Sequence, residues 1–247
     1  MKPSKSALAG LLIVAAAGVC VRLGIWQLAR LEERKARNEV INMQLAHPMV
    51  DVGPSNAELA PFRRARATGT FDFERQIVEV GRSVGGVPGV YIVTPLVMAD
   101  GRAVLVERGW AASPDARRID LSVLREPVLA SVEGILLERT GTEMPRPGWP
   151  AFVRQVDPRD WSSLYPYELI PLVLRRTGNP PEVQSVGFGA IPPPEVTEGP
   201  HLGYAIQWFL FATVAVVGGF VGLARQGRPQ GSRRAIDIQP PEPQSRS

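Results

Sequence analysis

Imidazole and thiol side chains, the usual transition-metal ligands and bases, are few in this 247-residue chain. There are two histidines, His47 and His201, and a single cysteine, Cys20. His201 opens the stretch His201-Leu202-Gly203-Tyr204-Ala205-Ile206-Gln207-Trp208-Phe209, and the apolar run it begins reaches Ala224 without a charged side chain. Helical rotation places His201, Tyr204, Ala205 and Trp208 on one stripe, which Ala212, Ala215 and Gly219 continue. A neutral imidazole nitrogen at the head of such a helix could ligate a metal, provided its other N–H finds an acceptor. The bland alternative is an interfacial histidine beside aromatic residues that favour the headgroup layer. Residue types alone leave both readings open.

The remaining chemistry is narrowed by what is absent. One cysteine allows no intrachain disulfide, no Cys-x-x-Cys and no copper-carrying thiol pair. Two histidines and one cysteine do not make a structural zinc site. Phosphate-cradling glycine patterns are missing, since Gly85-Gly86-Val87-Pro88-Gly89 has neither the spacing nor a following helix. Asp100, Ser113 and Asp115 could serve an enzyme, but no histidine or cysteine near them supplies a base. His47 reads as a helix-end residue beside Pro48.

The elements that must position these residues follow from pattern. Ala7 to Val21 is unbroken apolar sequence, extended past Arg22 by Leu23-Gly24-Ile25-Trp26. A cleaved signal peptide is the alternative to a first membrane helix over residues 7–26. The helix is favoured, because Arg22 can snorkel and Trp26 suits the interface. Val19 before Cys20 does not suit a lipoprotein site. Helix formers from Gln27 to Ala46 predict that the helix continues beyond the membrane and stops before His47-Pro48. Asp51–Pro61 reads as loop.

Short β-branched and aromatic runs then predict strands at Ala65–Phe71, Gln76–Val80, Val90–Val97, Ala103–Glu107, Val128–Leu137, Phe152–Val156, Leu169–Leu174 and Val183–Phe188. Ala99-Asp100-Gly101 is a hairpin signal, and Asp157-Pro158 starts a short helix toward Tyr165. Thr177–Pro200 reads as an irregular arm leading to a second membrane helix over residues 201–224. The expected fold is an α+β membrane protein, in which two transmembrane helices flank a mainly antiparallel β extramembrane domain, residues 27–200. A short N-terminal segment, 1–6, and a disordered tail, 225–247, complete the chain.

The formal charge is +4. Lys2, Lys5 and five arginines after Ala224 carry seven of the 28 basic residues, against two of the 24 acidic ones, so the stretch between nets −1. The basic excess therefore flanks the membrane segments, which argues against a nucleic-acid surface and for a lipid bilayer as partner. Arg225, Arg228, Arg233 and Arg234 follow the second helix, whereas Thr177–Pro200 holds no Lys or Arg. That contrast predicts both termini in the cytoplasm and the β domain on the outer, periplasmic side of a bacterial inner membrane. The first helix argues weakly the other way, since Arg22, Arg30, Arg34, Lys35 and Arg37 outnumber Lys2 and Lys5.

Four patches stand in order along the chain: Leu23-Gly24-Ile25-Trp26-Gln27 with Arg30 and Lys35, Ala67-Thr68-Gly69-Thr70-Phe71, Thr94-Pro95-Leu96 with Asp100-Gly101 and Val104-Leu105-Val106-Glu107-Arg108-Gly109-Trp110, and the His201–Phe209 stretch. Together they resemble the Surfeit locus protein 1 family. Glu107 departs from the usual Asn, Ala111-Ala112 from Val-Pro, and Gly199-Pro200 from Asn-Asn or Asn-Glu. The resemblance implies an assembly factor (a chaperone, not an enzyme) for haem-copper terminal oxidases of the respiratory chain. It would act when haem a enters the catalytic subunit of cytochrome c oxidase, with that subunit and haem a synthase as partners. His201 matches the histidine thought to bind haem a in several bacterial members. Tyr204 and Trp208 would then flank the macrocycle, with Ala205 leaving space for a flat ring. A haem-free protein-binding scaffold and an unrecognised periplasmic enzyme are the alternatives.

Gly24 and Trp26-Gln27 are expected to pack at a helix interface, and Arg108-Gly109-Trp110 to end a strand with the glycine turning the chain. The charge contrast generates a direct test of topology. Periplasmic-reporter fusions near Asp100 should be active and fusions after Arg234 silent; the opposite pattern refutes the orientation.

Overall fold

The computed structural model describes residues 5–53, 59–113, 115, 119–141, 148–178 and 188–226. The expected basic start (1–4), residues 183–187 of the expected strand Val183–Phe188 and the expected tail from residue 227 onward lie outside them. The described residues form two compact units, one of 5–35 with 198–226 and the other Ala36–Thr197.

A single helix, α1, runs over Lys5–Ala46. Alanine and leucine dominate its first half, and the charged second half carries exposed i,i+3 pairs, Arg30–Glu33 at 2.7 Å and Lys35–Glu32 at 3.3 Å. It ends at Ala46, just before His47-Pro48, where the proline disfavours helical backbone in the residue preceding it. The second long helix, α3, spans His201–Gln226. Both helices are long and apolar enough to cross a membrane. Large apolar side chains such as Val14 (68% exposed) and Phe220 (74%) project outward from them, a surface suited to lipid rather than water.

The second unit is built on nine strands: β1 (Val50–Asp51), β2 (Arg64–Phe71), β3 (Ile77–Val84), β4 (Val87–Met98), β5 (Ala103–Ala112), β6 (Leu129–Leu137), β7 (Ala151–Val153), β8 (Leu169–Arg176) and β9 (Phe188–Gly189). Their order is β1-β2-β6-β8-β5-β4-β3-β7, and β9 pairs with β5. A further pairing of β2 with β4 closes five strands, β2-β6-β8-β5-β4, into a ring. Gly69 sits at this closure opposite Met98, where a side chain would collide with the Val97 backbone. Asp100-Gly101 turns the β4–β5 hairpin, with Gly101 at φ +82. Asp157 caps the short helix α2 (Pro158–Trp161) by accepting from the Arg159 N–H at 3.0 Å.

The sheet is mixed, which corrects the expectation of a mainly antiparallel one. β8 enters between β6 and β5, running antiparallel to the first and so parallel to the second. The chain between β5 and β8, which pair in parallel, is long enough for the crossover this requires and passes through β6, β7 and α2. β7 also pairs in parallel with β3, and β1 with β2. Residues Asp51–Pro61, expected as loop, thus begin within β1.

Alternation along β2 buries Ala65, Ala67 and Phe71 with Leu96, Val104, Val106, Val132, Leu136 and Leu174 on one face of the ring strands. The outer face of β4, β5 and β8 is covered by Trp161, Tyr165, Val153 and Val156.

Arg108 extends the first of these faces. β5 does not end there, nor does Gly109 turn the chain: the strand continues to Ala112, and a side chain at 109 would meet the Phe188 ring at 2.6 Å. Arg108 is the extra residue of a β-bulge, since Val93 pairs with Glu107 and Ile92 with Gly109. Its buried guanidinium donates to Glu126 at 2.8 Å, to Gln76 at 3.1 Å, to Thr94 at 3.3 Å and to the Leu124 carbonyl. Phe71, Phe73 and Phe188 surround it at 5.1–5.6 Å. Arg176 closes the group with two bonds to Glu126, at 2.6 and 2.8 Å.

Burial pulls the Arg108 guanidinium below its usual pKa, opposed by Glu126. Burial also pushes the Glu126 carboxyl up, but Arg176 and Arg108 outweigh it and hold the carboxyl below its usual value of 4.5. A folded-state value below the unfolded one contributes stability in full above pH 4.5, and that contribution is lost as pH falls through the lower folded value. Glu126→Gln leaves two buried guanidinia uncompensated and should cost about 3–5 kcal/mol. Glu133→Gln, which breaks an exposed pair with Arg66, should cost under about 1 kcal/mol. Chemical unfolding of the purified variants measures both; equal losses would show that the buried charges do not hold the strands.

Candidate functional site

The helix pair positions His201. Alanine and glycine on facing stripes let the two backbones approach, which in lipid is rewarded by van der Waals contact. A side-chain carbon at Gly24 would lie 2.7 Å from the Phe209 ring, and one at Gly219 would lie 2.6 Å from Ile13. Toward the ends, Gly10 approaches Leu223. Ala205 and Ala212 are buried on the same face of α3. Gly24 therefore packs as its position in the first motif suggests, and the Ala212–Gly219 track is the seam of the pair.

His201 is the first residue of α3 and half-buried. Its Nδ1 lies 2.8 Å from Oε1 of Gln27, one turn beyond Gly24 on α1. This joins the Gln27 motif to the His201 motif. Sequence reasoning assigned Gln27 to packing alone and so missed it as the partner of His201. The available signal was that a buried or half-buried imidazole N–H needs an acceptor, which Gln27 could supply from the end of the first apolar run.

The other expected site residues differ in how they sit against the seam. Tyr204 is 49% exposed and faces away from the seam, whereas Ala205 is 1% exposed. The space that Ala205 was expected to leave for a flat ring is therefore filled, because the smallest side chains mark where the helices press together rather than where they part. Trp208 is half-buried and meets Phe211 edge-on, with centroids 5.8 Å apart. Gln207 is exposed.

In the second unit, Glu107 is paired with Arg139 and, at 2.5 Å, with Arg175. Burial brings Arg139 down to about 10. Asp100 is tied to Arg102 at 2.8 Å, which draws its carboxyl below the usual range, and the Ser113 hydroxyl is buried with no hydrogen-bond partner among the described residues. The His47 carbonyl accepts from Arg64 at 3.4 Å. Among the described residues, no group of three or more His, Cys, Asp or Glu could hold a metal ion.

These features define a protein with two helices of membrane-spanning length and, between them in sequence, a mixed β unit, with a histidine at the head of the second helix. Residues 14–213 match the SURF1 family, and the chain belongs to it. It is 28% identical to an uncharacterized SURF1-like protein of Mycobacterium bovis over 232 residues, 88% of this chain and 83% of the relative. An uncharacterized SURF1-like protein of Mycobacterium tuberculosis matches to the same extent. A SURF1-like protein of Rickettsia felis is 32% identical over 94 residues, which is 37% of this chain and 41% of the relative's length.

Close approach at Gly219 generates a test. Gly219→Leu must displace Ile13 and should lower cross-linking between cysteines engineered into α1 and α3. Unchanged cross-linking would show that the helices are not packed along this seam.

Proposed function

We propose that the chain is an assembly factor for a haem-copper terminal oxidase, anchored in the bacterial inner membrane, which receives haem a on His201 and hands it to the catalytic subunit. The observation that carries the reading is the placement of His201. One ring nitrogen is engaged by Gln27, and the other has no hydrogen bond among the described residues, at the first turn of a helix of membrane-spanning length. An imidazole so placed suits one axial bond to haem iron, while the bilayer boundary shelters the macrocycle and leaves its propionates near water. Because the seam at Ala205 is closed, the cargo lies outside the helix pair, where exposed Tyr204 can rest against it. Trp208, engaged with Phe211, borders that surface.

One protein ligand favours transfer over storage, since release breaks a single coordination bond. The arginines after Ala224 and their absence from Thr177–Pro200 support cytoplasmic termini and an outward-facing β unit, which puts His201 at the outer membrane surface. Haem a synthase as donor and the oxidase catalytic subunit as acceptor fit this placement.

His201→Ala should lose most of the haem absorbance of protein purified from cells that make haem a, while insertion and folding persist. Haem content of the oxidase should fall in parallel. Full occupancy in the variant would reduce His201 to an interfacial residue, and a colourless wild-type protein would favour a protein-binding scaffold.

A further inference from the structure

A neutral imidazole carries one proton, on Nδ1 or on Nε2, and only the bare nitrogen can bind a metal. At His201 the choice is made by a neighbour. Nδ1 faces Oε1 of Gln27 at 2.8 Å, and an amide oxygen can only accept. The contact is a hydrogen bond only when Nδ1 donates, so the proton is drawn to Nδ1 and Nε2 keeps its lone pair. The surroundings of Nε2 agree. The residue beside it is Gly199, where a side-chain carbon would stand 3.5 Å from Nε2 and 3.3 Å from Cδ2. Gly199 has φ +70, a conformation that favours glycine, so the turn leading into α3 also keeps side-chain atoms off the bare nitrogen. The reach of Gln27 is set in turn by Gly24, one turn earlier on α1, whose contact with the Phe209 ring brings the two backbones close.

We propose that Gln27 is the positioning residue for His201: its side-chain oxygen selects the Nδ1–H tautomer, orients the ring and presents Nε2 as the metal-binding atom. This assignment rests on the haem reading given above, and it adds a residue of the first helix to a site otherwise built from the second. An acceptor that orients a ligating histidine typically changes metal affinity about 10–100-fold when removed.

The test uses the full chain in detergent, with nitrogen-15 histidine and no haem. Two histidines give only two rings to assign, and His201→Ala identifies the second. The wild type should show a protonated Nδ1 and an unprotonated Nε2 at His201. Gln27→Leu, which removes the acceptor, should shift protonation toward Nε2, whereas Gln27→Glu, which keeps an acceptor oxygen, should preserve the pattern. Haem a titrated into the same samples should bind Gln27→Leu about 10–100-fold more weakly than wild type and Gln27→Glu within a few-fold. Gly199→Ala should weaken haem binding while leaving the proton on Nδ1.

A proton on Nε2 in the wild type overturns the proposal, as does a Gln27→Leu protein with unchanged tautomer and unchanged affinity. If the tautomer responds to Gln27 as expected but wild type and His201→Ala take up haem equally, the positioning contact stands and the haem reading falls.

Discussion

A guanidinium sealed inside the β unit is the constraint on which its strand arrangement depends. Arg108 cannot be left among apolar side chains without compensation, because an unpaired buried charge costs several kcal/mol. Its compensation is drawn from distant parts of the chain: Gln76 before β3, Thr94 on β4, Glu126 before β6 and three phenylalanine rings. Arg176 at the end of β8 shares Glu126, so the parallel β5–β8 pairing and the buried charge group support each other. The bulge at Arg108 re-aims the strand where this happens. A glycine follows it because the Phe188 ring occupies the space a side chain would need. Arg108 and Gly109 of the Arg-Gly-Trp motif are thus accounted for as interior structure.

On the opposite face of β5, Glu107 puts a carboxylate in a buried position, which would be costly on its own. Here Arg139 and Arg175 both bind it. The carboxylate and its partners form one local solution, and it concerns stability of the β unit rather than the histidine site.

The helix pair, long and apolar enough to cross a membrane, obeys a different rule. In lipid, without water to drive apolar surfaces together, close packing and a few polar bonds decide association. Gly24 and Gly219 supply the close packing, and the His201–Gln27 bond supplies a polar link at one end. The small residues that looked like room for a ligand are used up by the seam, which leaves the outward side of α3, with Tyr204, as the accessible surface.

Features with a local cause were legible in the sequence alone. Long uncharged apolar runs made helices of membrane-spanning length, the Asp100-Gly101 pair made a hairpin, and Asp157-Pro158 started α2, because each depends on neighbours within a few residues. Alternating patterns located most of the strands for the same reason. Strand order, the mixed sense of the sheet and the partners of Arg108 were settled only by the fold, since pairing joins segments whose separation leaves no local trace. The link between His201 and Gln27 is the clearest case. The two residues stand 174 positions apart, and each reads on its own as an interfacial polar side chain. They meet because glycine at position 24 lets two helices approach within reach of a hydrogen bond, a distance that only tertiary packing can set.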